Sequence, residues 1–285
     1  MKSVLHITAS AAVLSLAASS AMAQQSNAEP WTGVHYGVFA GVTGKADNRT
    51  RDQLLFDSGL SGSHHYRIVD SAGNNAFAPG NCNGLARGAT PADGCRSDDS
   101  TEEYGLRIGF DRQVGSLVYG ILAEYMKTDL EDSVSSFSTE PNSYAMTREL
   151  ESALSLRARL GFAFGADSRN LLYASGGKSR ARIENSFSTT NTTNTFSDSG
   201  PLDRNGYSYG FGYERLMGNN LSLGLEYVYM KFRDANYRVR ATGPVPGADL
   251  LTSQNAAGIV SMRRSDRNLS FDTWRATLAY RFGQS

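Results

Sequence analysis

The chain has little of what many functional classes depend on. A basic surplus is missing, since 28 Lys and Arg stand against 28 Asp and Glu, and nucleic-acid binders usually carry one. Histidine is scarce, at four, so catalytic or metal sites built on it have few residues to draw on. Cysteine is scarcer still, with only Cys82 and Cys95. Past the first two dozen residues there is no long apolar run, so no spanning helix is expected. The mean hydropathy, −0.37, looks soluble. A transmembrane β-barrel reads the same way, because only every second strand residue meets lipid.

The beginning of the chain indicates export. Lys2 precedes an apolar stretch from about Val4 to Ala18, followed by Ala21-Met22-Ala23. A positive start, a short apolar run and small residues around a cleavage point describe a secretory signal peptide, here residues 1–23. The leader carries Lys2 and no acid, so the mature chain from Gln24 is expected to be one charge negative. In an exported protein the default reading of Cys82 and Cys95 is one disulfide. It would restrain a Gly-, Asn- and Asp-rich loop by roughly 3 kcal/mol on a chain-entropy argument. A metal site is the weaker alternative, because no His lies close by in sequence.

What the chain does have is alternation with a period of two, the signature of strands. Val34, Tyr36, Val38, Ala40 and Val42 form one apolar face. Tyr104, Leu106, Ile108 and Phe110 face away from Gly105, Arg107, Gly109 and Asp111. Leu117, Tyr119, Ile121, Ala123 and Tyr125 follow, and then Leu154, Leu156, Ala158, Leu160 and Phe162 opposite Ser155, Arg157 and Arg159. Leu171–Ile183 is the least regular, with Leu171 and Tyr173 read as its apolar face and Lys178 and Arg180 as the other. Tyr207, Tyr209, Phe211 and Tyr213 oppose Glu214. Leu221, Leu223, Leu225 and Tyr227 oppose Glu226. Trp274, Ala276, Leu278, Tyr280 and Phe282 oppose Arg275 and Arg281. Eight strands is an even number, as bacterial single-chain barrels have.

The connections alternate in length. Val114–Ser116, Gly165–Asn170 and Met217–Asn220 are short, whereas 45–102, 129–147, 184–206 and 231–270 are long and polar. Short periplasmic turns and long external loops characterise outer-membrane barrels. Aromatics fall near the strand ends. Phe110, Tyr119, Phe162, Phe164, Tyr173, Tyr213, Tyr280 and Phe282 are expected on the short-turn side, and Tyr104, Tyr125, Tyr207, Tyr227, Tyr229 and Trp274 on the long-loop side. Two such girdles suit two membrane–water interfaces. The expected fold is all-β: an eight-stranded antiparallel up-and-down transmembrane β-barrel over residues 24–285, in the outer membrane of a Gram-negative cell. Its polar face, rich in Gly with scattered Arg and Glu, points into a narrow lumen.

Several motifs also resemble a known group. GYSYGFGYERLMGNNLSLGLEYVYMKF resembles the penultimate hairpin of the small porin-like outer-membrane proteins of alphaproteobacteria, relatives of the OmpA barrel and of opacity-type surface proteins. WTGVHYGVFAG is similar to their first strand and TWRATLAYRF to their last. The resemblance covers about half of the mature chain. It implies a non-enzymatic envelope protein whose closing aromatic strand is read by the barrel-assembly machinery, here through Tyr280 and Phe282. Gly283-Gln284-Ser285 follow Phe282, a departure from members that end on the aromatic.

The candidate chemistry lies in charges. Arg107, Asp111, Glu124, Arg157, Arg159, Glu214, Glu226, Arg275 and Arg281 all fall on the lumen face and are expected to form a salt-bridge network holding the barrel shut. The sharper alternative is a narrow pore whose selectivity they set. His64-His65 lacks the convergent partners of a hydrolase or metal site, and the remaining mature histidine, His35, lies at the other end of the barrel. Asp98, Asp99, Glu102 and Glu103 offer carboxylates to a divalent cation, though a solvated rim is the commoner reading. Arg233, Arg238, Arg240, Arg263, Arg264 and Arg267 make the last loop basic, suited to lipopolysaccharide phosphates. Asn185–Gly200 reads as an extended or mobile loop without chemistry of its own. No cofactor is expected. The expected partners are outer-membrane lipids, lipopolysaccharide and the assembly machinery. The expected role is envelope integrity and surface presentation, with a small-solute channel or a loop-borne adhesin as alternatives.

Overall fold

The computed structural model describes residues 29–44, 46, 52–69, 73–200, 202–243 and 258–282. The expected signal peptide and the tail 283–285 lie outside them. In chain order the strands are β1 (Gly33–Thr43), β2 (Leu54–Asp57), β3 (Gly80–Asn83), β4 (Leu85–Ala86), β5 (Cys95–Arg96), β6 (Thr101–Val114), β7 (Leu117–Phe137), β8 (Ser143–Phe164), β9 (Asn170–Thr189), β10 (Thr195–Asp198), β11 (Leu202–Met217), β12 (Leu221–Arg233), β13 (Val239–Thr242), β14 (Ile259–Arg264) and β15 (Asn268–Arg281). The ring β1-β6-β7-β8-β9-β11-β12-β15 is antiparallel throughout, and β15 returns to β1. Tyr36 stands opposite Tyr280, and Val42 opposite Trp274. Closure leaves no unpaired edge inside the bilayer, where a bare N–H or C=O has no water to turn to.

The outward face is apolar and open. Leu106, Ile121, Leu156 and Leu160 are each about 60% exposed, which is costly in water and favourable against lipid. On β7 this face runs from Leu117 to Tyr125 before polar residues take over, close to the nine to eleven residues a tilted strand needs to cross. Large inward side chains sit beside glycines that leave room for them. A Cβ on Gly109 would meet the His35 ring at 2.5 Å, and one on Gly212 would meet the Tyr173 ring at 2.6 Å.

One strand is reversed relative to its reading from sequence. On β9, Leu171 and Tyr173 are buried in the lumen, while Leu172, Lys178 and Arg180 face out. Tyr173 therefore leaves the girdle. It packs with Trp31, Val118, Ala163, Leu171 and Leu216 in an apolar plug at the periplasmic end. Lys178 and Arg180 lie opposite Tyr207 and Asn205 of β11, level with the outer aromatic belt, where cations reach headgroups.

The long connections are not the polar loops expected. β7 and β8 run 21 and 22 residues, about twice a membrane crossing. Above the bilayer, β7, β8 and β9 face a second sheet ordered β10-β13-β14-β2. Leu54, Phe56, Phe77, Val134, Tyr144, Met146, Val239 and Met262 share one buried core there, with Phe56 and Phe77 ring centroids 4.1 Å apart. Within the segment read as a loose loop, Asn185–Thr189 continues β9 and Thr195–Asp198 forms β10. The physical reason is burial: Phe187 and Phe196 pack together against that core. β3 covers the edge of β7 where β6 has ended, pairing Cys82 with Ser135, which protects an exposed edge. Cys82 and Cys95 form the disulfide that fastens this cover to β5.

Candidate functional site

The lumen charges form two layers, set by residues that alternate inward on successive strands. In the upper layer Arg107 reaches Glu124 at 2.7 Å and Glu226 at 2.9 Å. Arg157 pairs with Glu124 and, at 3.1 Å, with Glu226. Arg275 lies 3.1 Å from Glu226 and 3.4 Å from Glu124, with its guanidinium 4.4 Å above the Phe39 ring. In the lower layer Arg159 bridges Asp111 at 2.6 Å and Glu214 at 2.7 Å. Arg281 bridges the same two at 3.1 and 3.2 Å and stacks 4.5 Å over Trp31. Arg107 and Glu214, 3.8 Å apart, join the layers. All nine sequence-predicted residues are brought together, each at most 3% exposed.

Two members were missed. His35 is buried, with Nε2 3.2 Å from Asp111. Glu103, expected on a solvated rim, turns inward, 1% exposed, 4.0 Å from Arg275 and accepting from Thr43 Oγ1 at 3.4 Å. Its position on β6, an even number of residues from Arg107 and Asp111, was the available signal. With Glu103 included, Arg107, Arg157, Arg159, Arg275 and Arg281 face five carboxylates, Glu103, Asp111, Glu124, Glu214 and Glu226. The ten charges of this network therefore balance.

Apolar layers close both ends. The Trp31 plug seals the bottom, and Trp31 Nε1 donates to the Ser168 carbonyl at 2.7 Å. Phe39, Met126, Leu130, Met230, Phe232 and Phe271 fill the top. An eight-stranded barrel encloses only enough space for side chains, and these layers occupy it.

Above the lumen a second buried network pins the sandwich. Arg264 meets Asp52 at 2.6 Å and Asp132 at 2.8 Å, and Arg148 pairs with Asp132. Arg264 is thus not one of the free surface cations expected for it. The other loop arginines stay more open. His64 Nδ1 lies 3.1 Å from the Gly62 carbonyl, and His65 is held through its backbone against Phe56. Among the described residues no three His, Cys, Asp or Glu are placed to hold a metal ion. Tyr280 and Phe282 lie outward at the periplasmic end, their ring centroids 4.8 Å apart, beside Tyr36.

Asp98 is half-buried and accepts the Ser133 N–H at 3.1 Å. Burial raises its carboxyl to about 6 in spite of that bond. The folded value lies above the ordinary one of about 4, so the fold holds an extra proton between them and loses stability as pH rises through that window. Asp98→Asn is expected to raise the urea midpoint at pH 7.5 and leave it unchanged at pH 3.5. Equal midpoints for the two proteins at both pH values would contradict the assignment.

No curated protein matches the sequence. Among solved structures the chain is similar to the outer membrane protein OprG from Pseudomonas aeruginosa, at 12% identity over 88% of this chain and 96% of that one, with a TM-score of 0.47. It is also similar to the outer membrane protease OmpT from Escherichia coli, at 11% over 91% and 99%, TM-score 0.41. A third is the attachment invasion locus protein Ail of Yersinia pestis, at 11% over 88% and 100%, TM-score 0.33. Residues 129–282, more than half of the chain, match the family described as outer membrane protein beta-barrel domain. The chain belongs to that family of outer-membrane β-barrel proteins.

Proposed function

We propose that the protein is a non-enzymatic, non-conducting barrel that contributes to envelope integrity and carries a folded β-sandwich at the cell surface. The observation that carries this reading is the neutral charge network sealed between two apolar layers. A pore needs a continuous wet path, and a hydrolase needs convergent nucleophile and base. The lumen is filled instead, and among the described residues His64 and His65 have no such partners. The sandwich supports surface presentation: its own core holds a defined outer surface on a membrane anchor. Export by residues 1–23, reading of Tyr280 and Phe282 by the assembly machinery, and kinship with the OmpA-like barrels of alphaproteobacteria belong to the same proposal, as does contact with lipopolysaccharide.

Purified protein in planar bilayers is expected to give no stable single-channel steps, and deletion in the native host is expected to raise sensitivity to detergent. Reproducible conductance steps would overturn the sealed-barrel reading. Unchanged detergent sensitivity would remove the envelope role.

A further inference from the structure

On the lipid-facing side of the barrel, four neighbouring strands, β6 to β9, leave a groove of about 800 Å³ between their outward side chains. Its floor is Ala158, Ala174 and Gly176, and Phe110, Tyr119 and Leu160 rise around it. Those three large residues are 43 to 59% exposed, so the groove is open to whatever surrounds the barrel. Three strand spacings of about 4.8 Å make it roughly 14 Å long. That is about half of the ~30 Å hydrocarbon core, the depth of one leaflet.

The barrel itself does not require so low a floor. Gly177 has no alternative, because a Cβ there would collide with the Leu156 carbonyl. A Cβ on Gly176 would meet nothing closer than 3.8 Å. The φ of Gly176 is not left-handed, and β9 runs past it in unbroken register with both neighbours. A glycine inside a strand marks a bulge, a bend, or a close approach to the strand by something else. Here only the approach is left, and it comes from the lipid side. Charge supplies the second sign. Arg112 lines the groove two residues before β6 ends at Val114, on the periplasmic side. It is exposed and has no hydrogen-bond or ion-pair partner among the described residues. Tyr119 stands directly opposite it on β7, its hydroxyl likewise unpartnered. A guanidinium fork beside a phenol offers N–H and O–H donors to a phosphate. Free phosphate would leave the apolar floor uncovered, and a hydrocarbon alone would leave Arg112 unanswered. A phospholipid answers both.

We propose that this groove holds one phospholipid of the periplasmic leaflet. An acyl chain lies across Ala158, Ala174 and Gly176, and the phosphate sits on Arg112 and Tyr119. The lipid is a bound component of the barrel, distinct from the exchanging lipid around it.

The test uses the full chain folded in nonionic detergent micelles and titrated with palmitoyl-oleoyl phosphatidylglycerol, with binding read by native mass spectrometry. One lipid per monomer is expected to bind saturably. The diacylglycerol with the same chains lacks the phosphate and should bind about ten-fold more weakly, the loss expected for a charge-assisted hydrogen bond. Arg112→Gln should weaken the phospholipid by about the same factor and leave the diacylglycerol unchanged. Arg215→Gln, outward at the periplasmic end of β11 and away from the groove, keeps the wild-type response. The A158F/A174F double variant fills the floor from outside the barrel and should weaken both lipids by about ten-fold or more. Gly176→Leu makes the same test if the double variant lacks the unboiled gel shift of a closed barrel. Equal affinity for phospholipid and diacylglycerol, or full binding in the groove-filled proteins, would overturn the site. So would a preference for lipid A, which would give the groove to the other leaflet. A dimer that disappears in A158F/A174F would make a second copy the occupant and overturn it as well.

Discussion

Replacing Glu226 by Ala is expected to cost about 3–5 kcal/mol of unfolding free energy, the usual consequence of stripping one partner from a buried ion cluster. Glu226 is fully buried and shares its carboxylate among Arg107, Arg157 and Arg275 at 2.9 to 3.1 Å. Removing it leaves a net positive charge between two apolar layers. The fall in urea midpoint should be roughly 1–3 M, with the loss of the unboiled gel shift moving to lower temperature in parallel. Glu226→Gln keeps the shape but not the charge and turns one acceptor oxygen into a donor facing an arginine, so it should recover only part of the loss. Combining E226A with Arg275→Met restores neutrality and should be less damaging than the sum of the single changes. A loss below about 0.5 kcal/mol, the level of an ordinary surface substitution, would mean that water or a counter-ion reaches the cluster, and the sealed lumen would be wrong.

The membrane-spanning part was legible because lipid and lumen impose opposite demands on alternate residues. Wherever one face read Tyr, Leu, Ile, Phe and the other Gly, Arg, Gly, Asp, parity assigned both faces. Period alone carries no sign, and β9 exposes this. Leu171 and Tyr173 are apolar because they plug the barrel, and Lys178 is charged because it reaches the outer interface. Both ends of the strand break the rule that apolar means lipid. Glu103 and His35 followed the rule, but Glu103 was judged with its acidic neighbours in sequence, and His35 only by its distance from His64-His65, rather than by parity. The sandwich was illegible for a different reason. Its strands are four to six residues long, and β2 pairs with β14 some two hundred residues away. A core assembled from pieces so short and so distant leaves no local period to read. Arg264 was misplaced for the same cause. Within β14 it continues the inward series Val260, Met262, while its acids come from Asp52 and Asp132.

Asp132→Ala is expected to separate the two layers of the molecule. Asp132 is fully buried, pairs with Arg148 and Arg264, and accepts from Arg264 Nη1 through its backbone carbonyl at 2.6 Å. Burial pushes its carboxyl up, yet the two guanidinium groups hold it well below the usual carboxylate range. Its ion pairs are therefore intact at any pH above about 4 and are lost only on strong acidification. Without the carboxylate, Arg148 and Arg264 face each other across a buried site with only Asp52 and the more distant Asp266 to answer them. The cost, about 3–5 kcal/mol, falls on the local opening of the sandwich, because the barrel below is closed by its own ladder and its own ion network. If opening is fast relative to cleavage, trypsin should cut between 230 and 268 roughly 10²–10⁴ times faster, while the unboiled gel shift of the barrel is kept. Arg264→Gln should reproduce the effect, and the double change should cost less than the sum of the two, because both remove one interaction. Cleavage that accelerates only as the barrel itself unfolds would instead make sandwich and barrel one cooperative unit. The surface layer would then depend on the membrane ring for its fold, rather than being a separate body fastened to it at Asp132.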